Sequence, residues 1–548
     1  MNHQTPFDRL QQLIRLEHQD INTLLAYGIG IGLMSLATPV AVQALVNTIA
    51  FGALFQPLLV LTLVLLILVG FSNMLAGLQF YVVDMLQRRL FVRFFGNAAA
   101  RLQQAMFASR DSHYLPELAN RFLDVVTLQK TASVLLLETL GYVLQTLIGM
   151  VLLAFYHPLL LAFDLFLIAM LAIILFVMGK NGLSTAIAQS KAKYAALDWL
   201  ENIAMNALLG KSVSGGAFLT AKTERIADAY LEASSRHFRV LARQNTGALV
   251  LHTLANTLLL GMGGWMVIEH QLSLGQLIAA ELVVSAMIYG LTRLGKTLDN
   301  YYELLTSLDK IGHILDLPQE NPHGAESRPG TQGYQVDVVG VAVPDSAQLD
   351  VLRCIDLRVA AGECLVISVG AERGSLFDVL FGLRAPSDGY VCLDGQDIRD
   401  VNLRCLRETV ALVRDAEVIT GSVIDNLVLG RDLNLMDLQQ ALAKVGLLQT
   451  ILNLPNGLQT QLAVNGAPLS PEQCLRLTLA RALLIQPRLL LLDGLLDRLD
   501  NRFLVQVLDS LFADDAAWTL MVSSQNAQVI SRCSRHAQIL DGVLLEKK

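Results

Sequence analysis

The sequence predicts a multidomain membrane protein, an all-α transmembrane domain of six helices followed by an α/β domain. Composition gives the first reason: hydrophobic residues make up 53% of the 548 residues and charged residues only 16%, with a mean hydropathy of +0.48, too apolar for a water-soluble enzyme. The second is where that apolarity lies. It is concentrated before residue 317, after which short β-rich runs alternate with helical stretches.

Residues 1–22 are polar and mixed in charge. They lack the basic start, apolar core and small-residue cleavage site of a signal peptide, so the first apolar segment is expected to stay as a span. Residues 23–317 form the predicted transmembrane domain. Stretches long enough to cross a bilayer, about 20 residues each, fall at 23–50, 57–84, 134–156, 159–179, 247–268 and 274–297. Three connections, from Phe51 to Leu58, from Phe155 to Pro158 and around Glu269, carry no Lys or Arg and should face outward. The other two are long and basic: one holds Arg88, Arg89, Arg93 and Arg101, the other Lys180, Lys191, Lys193 and Lys211. The positive-inside rule makes these, and both termini, cytoplasmic. Leu86, Leu90 and Phe94, and again Ile226 and Tyr230, keep helical spacing inside the basic stretches, so the spans are expected to run on into the cytosol.

Residues 318–333, with Pro318, Pro322, Gly324, Pro329 and Gly330, read as a linker. The α/β domain takes residues 334–548, with strands expected at Val336 to Val343, Cys364 to Val369, Val410 to Val413 and Leu489 to Leu492. All 6 cysteines lie in this part, irregularly spaced and without a CxxC pair. That argues against zinc and against a disulfide framework, and fits a reducing compartment. A net charge of −7 gives no reason to expect nucleic acid as a partner.

Motifs follow in a fixed order. Ala361-Gly362-Glu363 precedes a strand and a glycine loop; Ser387-Asp388-Gly389 is followed by Leu393-Asp394-Gly395-Gln396; Asp415 precedes Thr420-Gly421-Ser422. Then come Leu469-Ser470-Pro471-Glu472-Gln473, Ala480-Arg481-Ala482 and Leu489-Leu490-Leu491-Leu492-Asp493. In this order the sequence resembles, over nearly its whole length, the exporter halves that fuse six membrane helices to an ATP-binding cassette, especially bacterial type I secretion ATPases.

The resemblance implies a nucleotide site for ATP and Mg²⁺, and most of its positions are altered. A P-loop of the form GxxxxGK[ST] cradles phosphate on backbone N–H groups, neutralises it with lysine and holds magnesium through a hydroxyl. The equivalent here, Gly370-Ala371-Glu372-Arg373-Gly374-Ser375, has shorter glycine spacing and no lysine; Arg373 is a bulkier fork, not an equivalent point charge. After Asp493, the family's magnesium ligand, Gly494 stands where the water-polarising glutamate is expected. Gln525 replaces the switch histidine and Arg414 the glutamine of the loop joining core to helical subdomain. In the signature, normally LSGGQ, Pro471 removes an amide donor and Glu472 adds charge of the wrong sign between Ser470 and Gln473. No aromatic residue lies between Gln335 and Phe377 to stack adenine.

The remnant site expected from the resemblance is therefore Gly370, Arg373, Gly374, Ser375, Asp493, Ser470, Gln473, Arg414 and Gln525, with Asp493 as the magnesium ligand and no catalytic residue. Little or no hydrolysis is expected of the chain alone. Weak binding without turnover stays open, since Gly370, Gly374, Ser375 and Asp493 still offer donors and a metal ligand.

In the membrane domain, ionisable residues are costly and hence candidates for function. Glu281 and Asp164 are candidates for the substrate path, while Glu138 and Arg293 lie nearer the membrane borders and Pro39 is expected to kink the first span. Stretches near Asp111 to Arg121 and Trp199 to Lys211 occupy the places of the family's coupling helices. The resemblance implies a dimer in a bacterial inner membrane, with itself or with a second half, in contact with lipid, and a periplasmic adaptor and outer-membrane channel as further partners. The competing readings are a non-hydrolysing scaffold or receptor, and a nucleotide sensor.

Overall fold

The computed structural model describes residues 5–50, 55–107, 115–320, 323–326, 330–344, 350–368, 373–513 and 516–547. The chain divides into two compact units, one of residues 1–104 and 114–317, the other of residues 105–113 and 318–548.

The first unit is helical. Six of its helices are long and apolar enough to cross a membrane: His18–Thr48, Gln56–Gln103, Glu117–Tyr156, Pro158–Val177, Val213–Ile268 and Leu274–Leu315. The spans do run on. Helix Val213–Ile268 has 56 residues, roughly 84 Å at about 1.5 Å per residue, against a hydrocarbon core of about 30 Å. Helix Phe55–Gln103 buries Leu86, Leu90 and Phe94 against Val125, Leu128, Leu304 and Leu308, so the apolar spacing inside the basic stretch reports a helix–helix core. Higher up, Leu63, Leu66, Ile67 and Phe71 of the same helix stay exposed, as side chains facing lipid do. The first span breaks at Leu36, between helices His18–Ser35 and Ala37–Ala50. Pro39 lacks an N–H and its ring crowds the Ser35 carbonyl four residues back, which is the expected kink.

A second core joins Leu153, Phe163, Leu167, Leu251, Ala255, Leu259 and Val283. Ion pairs fasten the polar ends: Arg89 reaches Glu17 at 3.2 Å and Asp20 at 2.9 Å, and Arg93 also binds Glu17. Arg293 lies 3.5 Å from Glu138, so these two half-exposed residues compensate each other. The Phe51 to Leu54 part of the first turn, and Asp111 to Tyr114 of the first proposed coupling stretch, lie outside the described residues.

The second unit holds strands β1 (Val336–Pro344), β2 (Asp350–Val359), β3 (Cys364–Ser368), β4 (Asp388–Leu393), β5 (Gln396–Asp397), β6 (Val410–Val413), β7 (Gly421–Ser422), β8 (Gln461–Leu462), β9 (Leu489–Asp493), β10 (Thr519–Ser523), β11 (Arg535–Leu540) and β12 (Val543–Lys547). Six of them form one sheet in the order β12-β11-β3-β10-β9-β6, parallel except for the β11–β12 pair. Every residue of β3, β9 and β10 is buried, which is why these strands read as unbroken apolar runs: helices cover both faces of a parallel sheet. An antiparallel sheet, β2-β1-β4-β5, packs within the same unit.

One expectation fails. The cysteine spacing argues against a disulfide framework, yet Cys364 and Cys533 are bonded, with Cα atoms 5.0 Å apart at a sequence separation of 169. The parallel pairing of β3 with β11 brings the two segments together, a proximity that linear spacing does not encode.

Candidate functional site

Parallel sheets of this kind place ligands at the carboxyl ends of their strands, and the register collects the candidate residues there. Val413 pairs with Leu492, and Asp493 with Ser523, so Arg414, Asp493 and Ser524 follow one another across the edge. Between β3 and helix Arg373–Leu380 lies the glycine loop. Gly370 lies outside the described residues, as do Val369, Ala371 and Glu372, and of Arg373, Gly374 and Ser375 only the backbone, opening the helix, is described.

The central feature is the position of Arg414. Its Nε donates to Asp493 Oδ2 at 2.6 Å, and its Nη2 to Asp378 Oδ1 at 2.8 Å. Both carboxylates are almost fully buried, with side-chain exposures of 7% and 6%, while the guanidinium retains 28%. Arg384 completes the network, Nε to Asp378 Oδ2 at 3.0 Å. Burial on its own would lower the Arg414 pKa, but Asp378 and Asp493 outweigh it and hold it above the ordinary arginine value, so the group stays charged at any physiological pH. The backbone is held too, since Arg498 donates to the Arg414 carbonyl and pairs with Asp415 at 2.9 Å.

Asp378 escaped the sequence reading. The signal was present: an acid within Leu376-Phe377-Asp378-Val379-Leu380, whose four apolar members are all fully buried, has to find a cation or remain an unpaired buried charge.

These residues do not fit Mg²⁺. A divalent cation at Asp493 would share its carboxylate with a guanidinium already hydrogen-bonded to it, two cations within a few ångströms at low dielectric. No group of three or more His, Cys, Asp or Glu able to hold a metal occurs among the described residues.

The signature segment is taken up by its own helix. Ser470 caps helix Pro471–Leu484: its Oγ accepts from the Gln473 N–H at 3.2 Å, and Gln473 Oε1 accepts from the Ser470 N–H at 2.8 Å. This is a reciprocal capping box, with Pro471 at the first helical position. Glu472 lies 3.4 Å from the fully buried Arg476. Gln525 is exposed, and its N–H donates to Asp497 Oδ2 at 3.2 Å. Gly494 has φ +67°, in the left-handed region where a glutamate side chain would be strained.

In the helical unit, Asp164 is 2% exposed and neither carboxylate oxygen has a hydrogen-bond partner among the described residues. Glu281 is exposed on helix Leu274–Thr292. The structure does not bring the two together through any bond.

Residues 352–495 match the family described as ABC transporter. Over 94% of this chain and 73% of that protein, the sequence is 23% identical to the alpha-hemolysin translocation ATP-binding protein HlyB of Escherichia coli. It is 28% identical to the cyclolysin secretion/processing ATP-binding protein CyaB of Bordetella pertussis over 50% of this chain and 39% of that one. The chain spans less than half the length of the first curated relatives it matches. A bacterial Atm1-family ABC exporter solved with ATP bound shares the fold, with a TM-score of 0.84, 19% identity and coverage of 97% and 95% of the two chains. Residues 352–495 thus form a domain of the ABC transporter family, and the chain as a whole has the fold of an ABC exporter, with six helices long and apolar enough to cross a membrane followed in sequence by that α/β domain.

Proposed function

We propose that this chain is a transport half whose cassette does not hydrolyse ATP by itself. The observation that carries this is the Arg414–Asp493–Asp378 network: the family's magnesium ligand is neutralised by the chain's own arginine. Phosphoryl transfer depends on positioned metal, lysine and base acting together; here the lysine and the base are replaced and the metal ligand is paired with Arg414. Sequence supports the same reading, since no lysine lies between Lys310 and Lys444 and Gly494 occupies the place of the glutamate.

On this reading residues 23–317 span a bacterial inner membrane with both termini cytoplasmic, residues 318–333 link, and residues 334–548 form the degenerate cassette. Exporters of this layout work as two halves, so the chain pairs with itself or with an active second half. The similarity to HlyB and CyaB favours export of the type I secretion kind, with a periplasmic adaptor and outer-membrane channel as further partners.

A scaffold reading has its own support in Pro471 and Glu472, because an active partner would need that segment to close over its nucleotide, and here it lacks an amide donor and carries an added negative charge. ATP turnover measured on the purified full chain, alone and mixed with a competent half, separates the readings. Turnover only in the mixture supports the transport half; none in either supports the scaffold; turnover by the chain alone overturns both.

A further inference from the structure

A disulfide stands in the second unit, the part of the chain that the basic connections of the membrane domain place in the cytoplasm. Glutathione and thioredoxin keep thiols reduced there, and the disulfides that do occur in such a compartment are mostly catalytic or redox-sensing. The backbone is built for the pair. The Cα atoms of Cys364 and Cys533 are 5.0 Å apart, inside the usual span of about 4.4–6.8 Å.

The fold does not need the bond to bring its two ends together. Arg535 pairs with Leu365 in the parallel ladder of β3 and β11, the Ser534 hydroxyl donates to the Cys364 carbonyl at 3.0 Å, and Arg535 reaches Glu363 at 3.2 Å. These contacts flank both cysteines and keep the segments in register with the bond open. What the bond adds is a second anchor for residues 524–533. At their start, Asp497 accepts from the Ser524 hydroxyl and from the Gln525 N–H; at their end stands Cys533. Between them lies helix Ala527–Arg532, in which Val529 is the buried residue and Arg532 pairs with Asp509 at 2.7 Å on the surface. A segment with so few buried contacts belongs to the low-stability end of a fold, so a covalent tie at its end governs how freely it opens. Cys364 is 9% exposed within the apolar cluster, whereas Cys533 is only partly buried against it, which makes Cys533 the side open to attack.

We infer that Cys364 and Cys533 form a reversible thiol switch that exchanges with the glutathione pool and, when oxidised, restrains the segment carrying Gln525. A glutathione thiolate attacks Cys533 Sγ, the bond between the two cysteines breaks, and Cys364 leaves as a thiolate that takes up a proton. A second glutathione thiolate then attacks the glutathione sulfur of the mixed disulfide, releasing glutathione disulfide and the Cys533 thiolate, which is protonated in turn. Two glutathione thiols are oxidised and one protein disulfide is reduced; the closing direction is the reverse, with glutathione disulfide as oxidant. The inference rests on the cytoplasmic placement of the cassette and not on its turnover of ATP.

The test equilibrates the full chain in lipid nanodiscs with glutathione buffers, from equal reduced and oxidised forms to about a thousandfold excess of the reduced one, then blocks free thiols with N-ethylmaleimide and reads Cys364 and Cys533 by mass spectrometry. The two should gain and lose label together across that range, and return to the bonded state when the buffer is reversed. Hydrogen exchange at the amides of residues 528–533 should quicken by about tenfold on reduction, with β10 unchanged. In Cys533→Ser, where the bond cannot form, the same amides should exchange at the fast rate in either buffer. A bond that survives the most reducing buffer, a pair that stays reduced in the most oxidising one, or a redox response of these amides retained in Cys533→Ser would overturn the inference. A membrane-impermeant maleimide added to intact cells checks the placement separately: the exposed Cys354 should escape it, and labelling of Cys354 there would overturn the cytoplasmic setting that the exchange requires.

Discussion

Replacing Arg414 by glutamine removes the cation that, among the described residues, bridges Asp493 and Asp378. Deleting one partner of a buried pair typically costs about 3–5 kcal/mol, because the other charge is left uncompensated. Two features move this case to the low end: the guanidinium is 28% exposed, and Asp378 keeps Arg384 at 3.0 Å. A cost of about 3 kcal/mol follows, which is roughly a hundredfold in an equilibrium constant. Hydrogen exchange of the full chain reads it locally, through the amides of β6 and β9, whose protection should fall by roughly two orders of magnitude. Mn²⁺ should restore part of that protection in Arg414→Gln, where the guanidinium no longer covers the Asp493 carboxylate, and should leave the unsubstituted protein unchanged. A loss below about threefold, or a Mn²⁺ response in the unsubstituted protein, would refute the view that arginine takes the metal's place.

Two further outcomes follow from single positions. Gly494→Glu restores the missing carboxylate but forces it to φ +67°; it should cost about 1 kcal/mol and yield no ATP turnover, and measurable turnover would show that the remaining substitutions are tolerated. Asp164→Leu exchanges a carboxyl group with two unpartnered buried oxygens for a side chain suited to its apolar surroundings, so the midpoint of thermal unfolding in nanodiscs should rise. A fall would mean that the carboxyl group is held by an interaction the folded chain requires.

The architecture was largely legible in the sequence because its signals are periodic. Apolar runs of span length, helical spacing at Leu86, Leu90 and Phe94, and the unbroken apolar strand before Asp493 each report burial directly. The landmark order located the strand ends, so Arg414, Asp493 and Gln525 were known as positions. What they do with one another was not legible. Arg414 read as a lost glutamine, and only the parallel register of β6 against β9 turns it into a cation on Asp493. Asp378 was hidden because a helix pattern does not say which partner a buried acid meets. Ser470 and Gln473 stand at the serine and glutamine of the signature by resemblance, and their spacing of three residues also encodes a capping box, which the helix they begin forms. Cys364 and Cys533 show the same limit, since 169 residues of separation carry no trace of the β3–β11 pairing.

The most direct measurement is steady-state hydrolysis of Mg-ATP by the full-length chain, purified without any second half and reconstituted in lipid. With Arg414 seated on Asp493, release of phosphate should stay at the protein-free background and should not respond to added magnesium. Magnesium-dependent phosphate release above that background, growing with protein concentration, would contradict the account.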